Sequence, residues 1–377
     1  MFDIALGIFL FLSPIIFLFG NNARLNGVIM ALQFYQFKSL SISNNILQLQ
    51  FFQYGIFVLF IIALMCKPIR YFKDKYLAWF LGLCAFSVLL HPKTLSAFVL
   101  IFLGVLFYYL VVQYAKNIKK LLYVIVLIST LNTFFAILQF FNIYWLYNPT
   151  GSIYGMMFSP SHLGTYQALA FPICYAIHHA LSIIPLIGLI LSKSITPFIA
   201  LLVGIVYLWI PKKSIQFWKK IFINLFPMGW ATLLGIFIVL IIRNYHNFSY
   251  KLSLRIGLWV ATLREILENP MGYGLGTFSG LSSQIYSNQG HWEWTYNEYL
   301  GIAFCVGILV WFIMGLFLID KFQDIGEGLK RVIAASCLIV AVICMGQSPM
   351  HFPRLIGTII PLFAFLEILK MKGEIEK

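Results

Sequence analysis

LSAFVLIFLGVLFYYLVVQ, residues 95–113, carries no charged side chain. After YAKNIKK at 114–120 it is followed by LLYVIVLISTLNTFFAILQFF at 121–141. A helix needs about 20 apolar residues to cross the hydrocarbon of a bilayer. Runs of the same kind lie near 4–19, 49–66, 76–90, 161–177, 181–191, 196–210, 221–242, 296–319, 331–346 and 354–369. Together they predict an all-α polytopic membrane protein with about twelve transmembrane helices.

The composition agrees with that expectation. Of 377 residues, 61% are hydrophobic, 10% are charged and 18% are aromatic, with 37 Phe. An ordinary soluble domain is about 45–50% apolar and about 25% charged. The net charge of +14 sits in short clusters between apolar runs, which predicts membrane orientation and no nucleic-acid partner. All six Cys residues lie in or at the ends of apolar runs and form no CxxC, so they read as core filler. Met1 to Gly20 lacks a basic n-region and a cleavage site, and reads as a retained first span.

With the N-terminus inside and the spans alternating, 17 of the 26 Lys and Arg residues fall on cytoplasmic loops and the tail. Both termini are then cytoplasmic. The organisation predicted is 1–242 as N-terminal spans (about nine of them), 243–295 as one larger outer loop, and 296–377 as about three C-terminal spans. Asn21 to Gln48 reads as an interfacial segment.

Acidic residues are nearly absent from the spans; Glu298 and Glu367, near span ends, are the exceptions. The candidate chemistry therefore gathers on the outer face. Ser253 is placed to cap a helix that ends before Pro270. On it, Arg255 has no acid at i±3 or i±4 and suits a phosphate or a lipid headgroup. Arg264 stands four residues before Glu268, as in a surface ion pair. Gly272-Tyr273-Gly274-Leu275-Gly276 reads as a tight turn whose N–H groups can face an anion. His291, with Tyr296, Asn297 and Glu298 at a helix start, offers acid–base chemistry or an aromatic belt. Lys193 breaks two short helices, and His351 and Arg354 join the last two spans.

These motifs resemble those of the bacterial O-antigen ligase and polymerase superfamily. The resemblance rests on Ser159-Pro160-Ser161-His162-Leu163-Gly164, Leu191-Ser192-Lys193-Ser194, Ser253-Leu254-Arg255 with Trp259, Pro270 to Phe278, and Tyr296-Asn297-Glu298-Tyr299-Leu300. It covers roughly residues 150–370, and 255–300 is its specific part. It implies a GT-C-like fold in the bacterial inner membrane with one larger periplasmic loop. It implies an inverting, metal-independent glycosyltransferase of surface polysaccharide or lipopolysaccharide biosynthesis, needing no cofactor. The donor would be a glycan on a polyprenyl diphosphate such as undecaprenyl diphosphate. The acceptor would be lipid A–core or another lipid-linked glycan, with membrane lipids around it. Arg255, Lys193 and Arg354 would hold the diphosphate, and His291, Tyr296, Asn297 and Glu298 would serve the acceptor. Family members often have His-Asn where this chain has Tyr296-Asn297, and Tyr, with an unperturbed pKa of about 10, is a poor base near neutrality. The other readings are a lipid-linked glycan transporter or flippase, and a non-catalytic partner of polysaccharide assembly.

Overall fold

The computed structural model describes residues 1–20, 43–66, 74–142, 153–157, 159–209, 250–285, 295–322, 328–351 and 353–375. In them the chain forms α1 (Phe2–Gly20), α2 (Ser43–Cys66), α3 (Lys75–Leu90), α4 (Leu95–Tyr114), α5 (Ile118–Phe140), α6 (Pro160–Ile177) and α7 (Ile183–Ser192). There follow α8 (Ile195–Trp209), α9 (Tyr250–Glu268), α10 (Phe278–Ile285), α11 (Glu298–Val306), α12 (Leu309–Phe322), α13 (Leu329–Ile343) and α14 (Pro353–Ile375). No strand occurs among the described residues. The expected span near 221–242 lies outside them.

Local signals set many boundaries. Asp74 caps α3 by accepting from the N–H groups of Tyr76 and Leu77 at 3.1 and 3.2 Å. Asn117 caps α5 through the Lys120 N–H at 3.2 Å. The Asp3 carboxylate accepts the N–H groups of Lys116 and Asn117 at 2.9 and 3.1 Å, which ties the start of α1 to the start of α5. Ser159 caps α6, with Pro160 in its first turn.

The largest core joins α1, α2, α4, α5, α6, α13 and α14 through Leu6, Ile56, Phe107, Leu121, Tyr166 and Phe365, all fully buried. Burying one such side chain contributes about 1.5–3 kcal/mol. A second core forms where α3, α9, α11 and α12 meet, around Cys84, Leu258, Ile266, Phe304 and Val310.

The expected polytopic bundle of about twelve spans is corrected by these helices. Among the described residues two stretches, Pro92–Tyr114 and Ile118–Phe140, are long and apolar enough to cross a membrane by length and composition. Lys75–Leu90, His179–Ser192 and Ile195–Trp209 are apolar but span only 10–17 residues. The physical reason, seen on α6 and α13, is that apolar runs can be spent on packing against other helices. On α6, Leu163, Tyr166, Leu169 and Ile173 are buried, and α13 is buried over most of its length. In a sequence, a helix wrapped by protein has the same apolar pattern as one wrapped by lipid. The run 296–319 is also broken in two, because Gly307 at φ 102° separates α11 from α12. The multi-pass inner-membrane topology, with both termini cytoplasmic and a periplasm-facing site, falls with the span count, and so does the GT-C-like architecture.

One ionic hub ties three helices together far from the chain ends that meet it. The Lys321 ammonium, on α12 and 2% exposed, donates at 2.7 Å to Asp74 at the start of α3 and at 2.7 Å to Glu367 on α14. Asp320 lies 3.5 Å from the same nitrogen and takes a 2.9 Å bond from Lys370. Removing one partner of a buried ion set leaves uncompensated charge and costs about 3–5 kcal/mol. Lys321→Met is therefore expected to lower unfolding stability by about that amount in a denaturant titration, whereas Lys370→Met, which leaves Lys321 in place, costs much less.

Candidate functional site

Five stretches of chain converge at one end of the helical body: the start of α6, the break between α7 and α8, α9, residues 295–298, and residues 344–351. Thr295 sets the local geometry. Its hydroxyl donates to the Asn297 carbonyl at 2.6 Å and accepts the Asn297 N–H at 3.3 Å. Its carbonyl accepts the Trp259 indole N–H at 2.9 Å. Tyr296, bracketed by these bonds, is held left-handed at φ 53°, a conformation that a non-glycine residue keeps only when its surroundings enforce it. The Arg255 guanidinium lies over the Tyr296 ring, 4.8 Å from its centroid. Arg255 and Trp259 share a helix face by their spacing of four.

Asn297 caps α11. Its side-chain oxygen accepts the Leu300 N–H at 3.0 Å, and its amide donates to the Met345 carbonyl at 2.9 Å. Glu298 follows, 9% exposed. Its N–H donates to the Cys344 carbonyl at 2.9 Å, and its carboxylate accepts the Met350 N–H at 2.6 Å. The His351 Nδ1 lies 3.3 Å from both carboxylate oxygens. Two adjacent side chains thus fasten segment 344–351 onto the start of α11. Around this clamp the side chains of Met345 and Met350 stand 40% and 36% exposed.

Gln347 extends the connection. Its carbonyl oxygen accepts from the Thr165 hydroxyl at 3.1 Å, and its amide donates to the Ser194 hydroxyl at 3.4 Å. Lys193 stands beside Ser194, exposed, as the left-handed residue at φ 52° that ends α7. Tyr299 donates to the Ala341 carbonyl at 2.9 Å, and Trp311 donates to the Tyr299 carbonyl at 2.6 Å, so the first turn of α11 is tied to both α13 and α12.

The glycine-rich turn does other work than the sequence predicts. The N–H groups of Tyr273 and Gly274 donate to the Phe304 and Cys305 carbonyls, each at 2.9 Å. These are the open C-terminal carbonyls of α11, which every helix must satisfy outside itself. Gly272, at φ 84°, lies so close to Cys305 that a Cβ there would come within 2.7 Å of its carbonyl oxygen. The turn is a cap for α11 and does not present these N–H groups to an anion. Tyr273 also donates to Glu265 at 2.7 Å and stacks on Phe304 at 4.7 Å between centroids. The Glu265 hydrogen bond, helped by burial, pushes the Tyr273 hydroxyl up to about 12.

The structure brings Arg255, Tyr296, Asn297 and Glu298 together and leaves Lys193 exposed on an adjoining break. His291 lies outside the described residues, as does the Arg354 side chain at the start of α14. Arg264 pairs with Glu268 at 2.8 Å on the surface, as its spacing predicts. The α9 helix begins at Tyr250, so Ser253 lies inside it and does not cap it. Sequence reasoning missed Gln347 and the pairing of His351 with Glu298. Their separations of 182 residues from Thr165 and 53 from Glu298 leave no local signal. Among the described residues no group of three or more His, Cys, Asp or Glu is placed to hold a metal.

No family model matches the chain, and no curated protein matches it. The resemblance to O-antigen ligases and polymerases is therefore corrected. Such enzymes are built on a many-span bundle, whereas two helices here have spanning length and apolarity among the described residues. The assignment as a polyprenyl-diphosphate-dependent membrane glycosyltransferase falls with that bundle, as does the transport alternative. The motifs that suggested it are used in other ways: the Asn297 amide caps a helix, the Glu298 carboxylate clamps a segment, and the glycine turn closes α11.

Two outcomes follow from the geometry. Glu298→Ala removes the acceptor of the part-buried Met350 N–H together with the His351 contact and is expected to cost about 2 kcal/mol in unfolding stability, with Glu298→Gln costing clearly less. The Tyr273 hydroxyl titrates higher in the folded chain than unfolded. Its contribution is thus complete below pH 10 and is lost as pH rises through about 12. Tyr273→Phe should accordingly be less stable by about 1 kcal/mol near neutral pH, after allowing for solvent screening. In melts across pH, that difference should shrink above pH 10.

Proposed function

We propose that this chain binds a phosphate-bearing amphiphile at the end where Arg255, Tyr296 and segment 344–351 meet. The observation that carries the reading is the state of Arg255. It is partly exposed, its Cζ lies 4.8 Å from the Tyr296 ring centroid, and no described carboxylate pairs with it. A guanidinium that no carboxylate occupies has its N–H fork to offer a bidentate acceptor, and phosphate matches that fork. Lys193 and Arg354 are the further cations assigned to the phosphate.

The nearby negative charge does not oppose an anion strongly. The Glu298 carboxylate is buried and is already held by the Met350 N–H and His351. Apolar side chains favour an amphiphile over a free anion. Met345 and Met350 are exposed next to the clamp, and Ile195 and Phe198 are exposed on the first turn of α8, beside Lys193 and Ser194. Methionine adapts its shape to irregular apolar ligands. Tyr296, Asn297 and Glu298 act here as the frame that places Arg255.

Calorimetric titration of the full chain in nonionic detergent tests the reading, with short-chain phosphatidic acid, the diacylglycerol of the same chain length, and inorganic phosphate as probes. Phosphatidic acid is expected to bind, diacylglycerol to bind much more weakly, and phosphate weakly. Arg255→Ala should weaken phosphatidic acid binding by about tenfold or more, and Arg255→Lys by less. Equal affinity of Arg255→Ala and the unaltered chain, or equal binding of diacylglycerol, overturns the proposal.

A further inference from the structure

A second surface lies at the other end of the helical body. The helix α13 runs from the Lys330 end to the clamp, and at 1.5 Å per residue its length puts about 20 Å between the two. At this far end lie the start of α1, the end of α4, the start of α5, and the Lys321 hub. Phe2 and Tyr114 meet there at 5.4 Å, and Lys321 lies 5.8 Å from the Tyr108 ring on α4.

The acids whose side chains are described at this end, Asp3, Asp74, Asp320 and Glu367, are engaged internally. Asp3 holds the backbone N–H groups of Lys116 and Asn117. Asp74, Asp320 and Glu367 hold Lys321, and Asp320 also holds Lys370. The ammonium groups of Lys116, Lys119 and Lys120 remain. These three lysines are exposed, and no described carboxylate pairs with them. Tyr123, 56% exposed, follows Lys119 by one helical turn on α5, and Ile4, 70% exposed, follows Asp3 on α1. Trp79, 50% exposed, stands one turn after Lys75 on α3.

We infer that this end of the molecule docks on an anionic lipid surface, through Lys116, Lys119 and Lys120 with Tyr123 and Ile4 entering the headgroup layer. Charge complementarity chooses the sign of the partner. The apolar and aromatic side chains interleaved with the lysines choose lipid over an acidic polypeptide. An amphipathic ring suits the boundary between headgroup and hydrocarbon, and lysine stems lie along apolar surface with their ammonium in the polar layer. The surface is distinct from the Arg255 end, and its residues take no part in the site proposed there.

Vesicle flotation tests this docking. The full chain is diluted from nonionic detergent onto phosphatidylcholine vesicles, with and without phosphatidylglycerol, at low and high salt. Binding should rise with phosphatidylglycerol, and the gain should fade at high salt. Each surface lysine is worth roughly a fivefold change, so Lys116→Gln, Lys119→Gln and Lys120→Gln combined should remove a gain on the order of a hundredfold. Lys93→Gln, which alters an exposed lysine just before α4, should leave the gain unchanged. The triple variant should still bind short-chain phosphatidic acid, which separates failure here from failure at the Arg255 site. An unchanged gain in the triple variant overturns the inference, as does equal binding to both vesicle types. Capture by polyglutamate with no gain from phosphatidylglycerol also overturns it, in favour of an acidic protein partner.

Discussion

The Glu298 carboxylate is buried at the start of a short helix and accepts a backbone N–H from Met350, a residue 52 positions further along the chain. A buried carboxylate without donors is costly, and the Met350 N–H and His351 supply them. Asn297 adds a second tie to the same segment through the Met345 carbonyl. Two adjacent side chains therefore make the start of α11 and the turn between α13 and α14 a single unit. Gln347, within that turn, carries the connection to Thr165 on α6 and Ser194 at the α7–α8 break.

Once α11 is fixed at its start, its other end must also be satisfied, and the turn at 270–276 does this by donating to the Phe304 and Cys305 carbonyls. That turn follows α9 directly, so the helix bearing Arg255 and Trp259 is held against α11 from two sides. Trp259 reaches Thr295, and Arg255 reaches the ring of Tyr296. The placement of the Arg255 guanidinium thus depends on a chain of polar bonds that begins at Glu298. The apolar surface beside it and the basic surface at the far end are separate consequences of the same packing. Among the described residues at that end, Asp3, Asp74, Asp320 and Glu367 are taken up in a cap-like tie and the Lys321 hub, and Lys116, Lys119 and Lys120 pair with none of them.

Much of the helical outline was legible in the sequence. Pro270 marked the end of α9, Lys193 marked a break, and the Arg264–Glu268 spacing marked an ion pair. Asn297 was legible as part of a helix start. The role of Glu298 was not, because its partners come from another part of the chain and from a backbone N–H that no side-chain pattern announces. The Lys321 hub was hidden for the same reason, since Asp74 is 247 residues away. The span count failed for a different cause. Apolar composition measures how much of a helix avoids water, and it does not distinguish protein neighbours from lipid; α6 and α13 satisfy it by burial among other helices. The resemblance rested on motifs, and no family model matches the chain, although the described motif residues do gather at one end.

Amide hydrogen exchange at Met350 tests the clamp on which this arrangement rests. In the full chain that N–H should exchange far more slowly than an unstructured amide, and Glu298→Ala should release it while amides in the middle of α13 keep their protection. Exchange at the unstructured rate in the unaltered chain, or full protection after Glu298→Ala, would contradict the clamp.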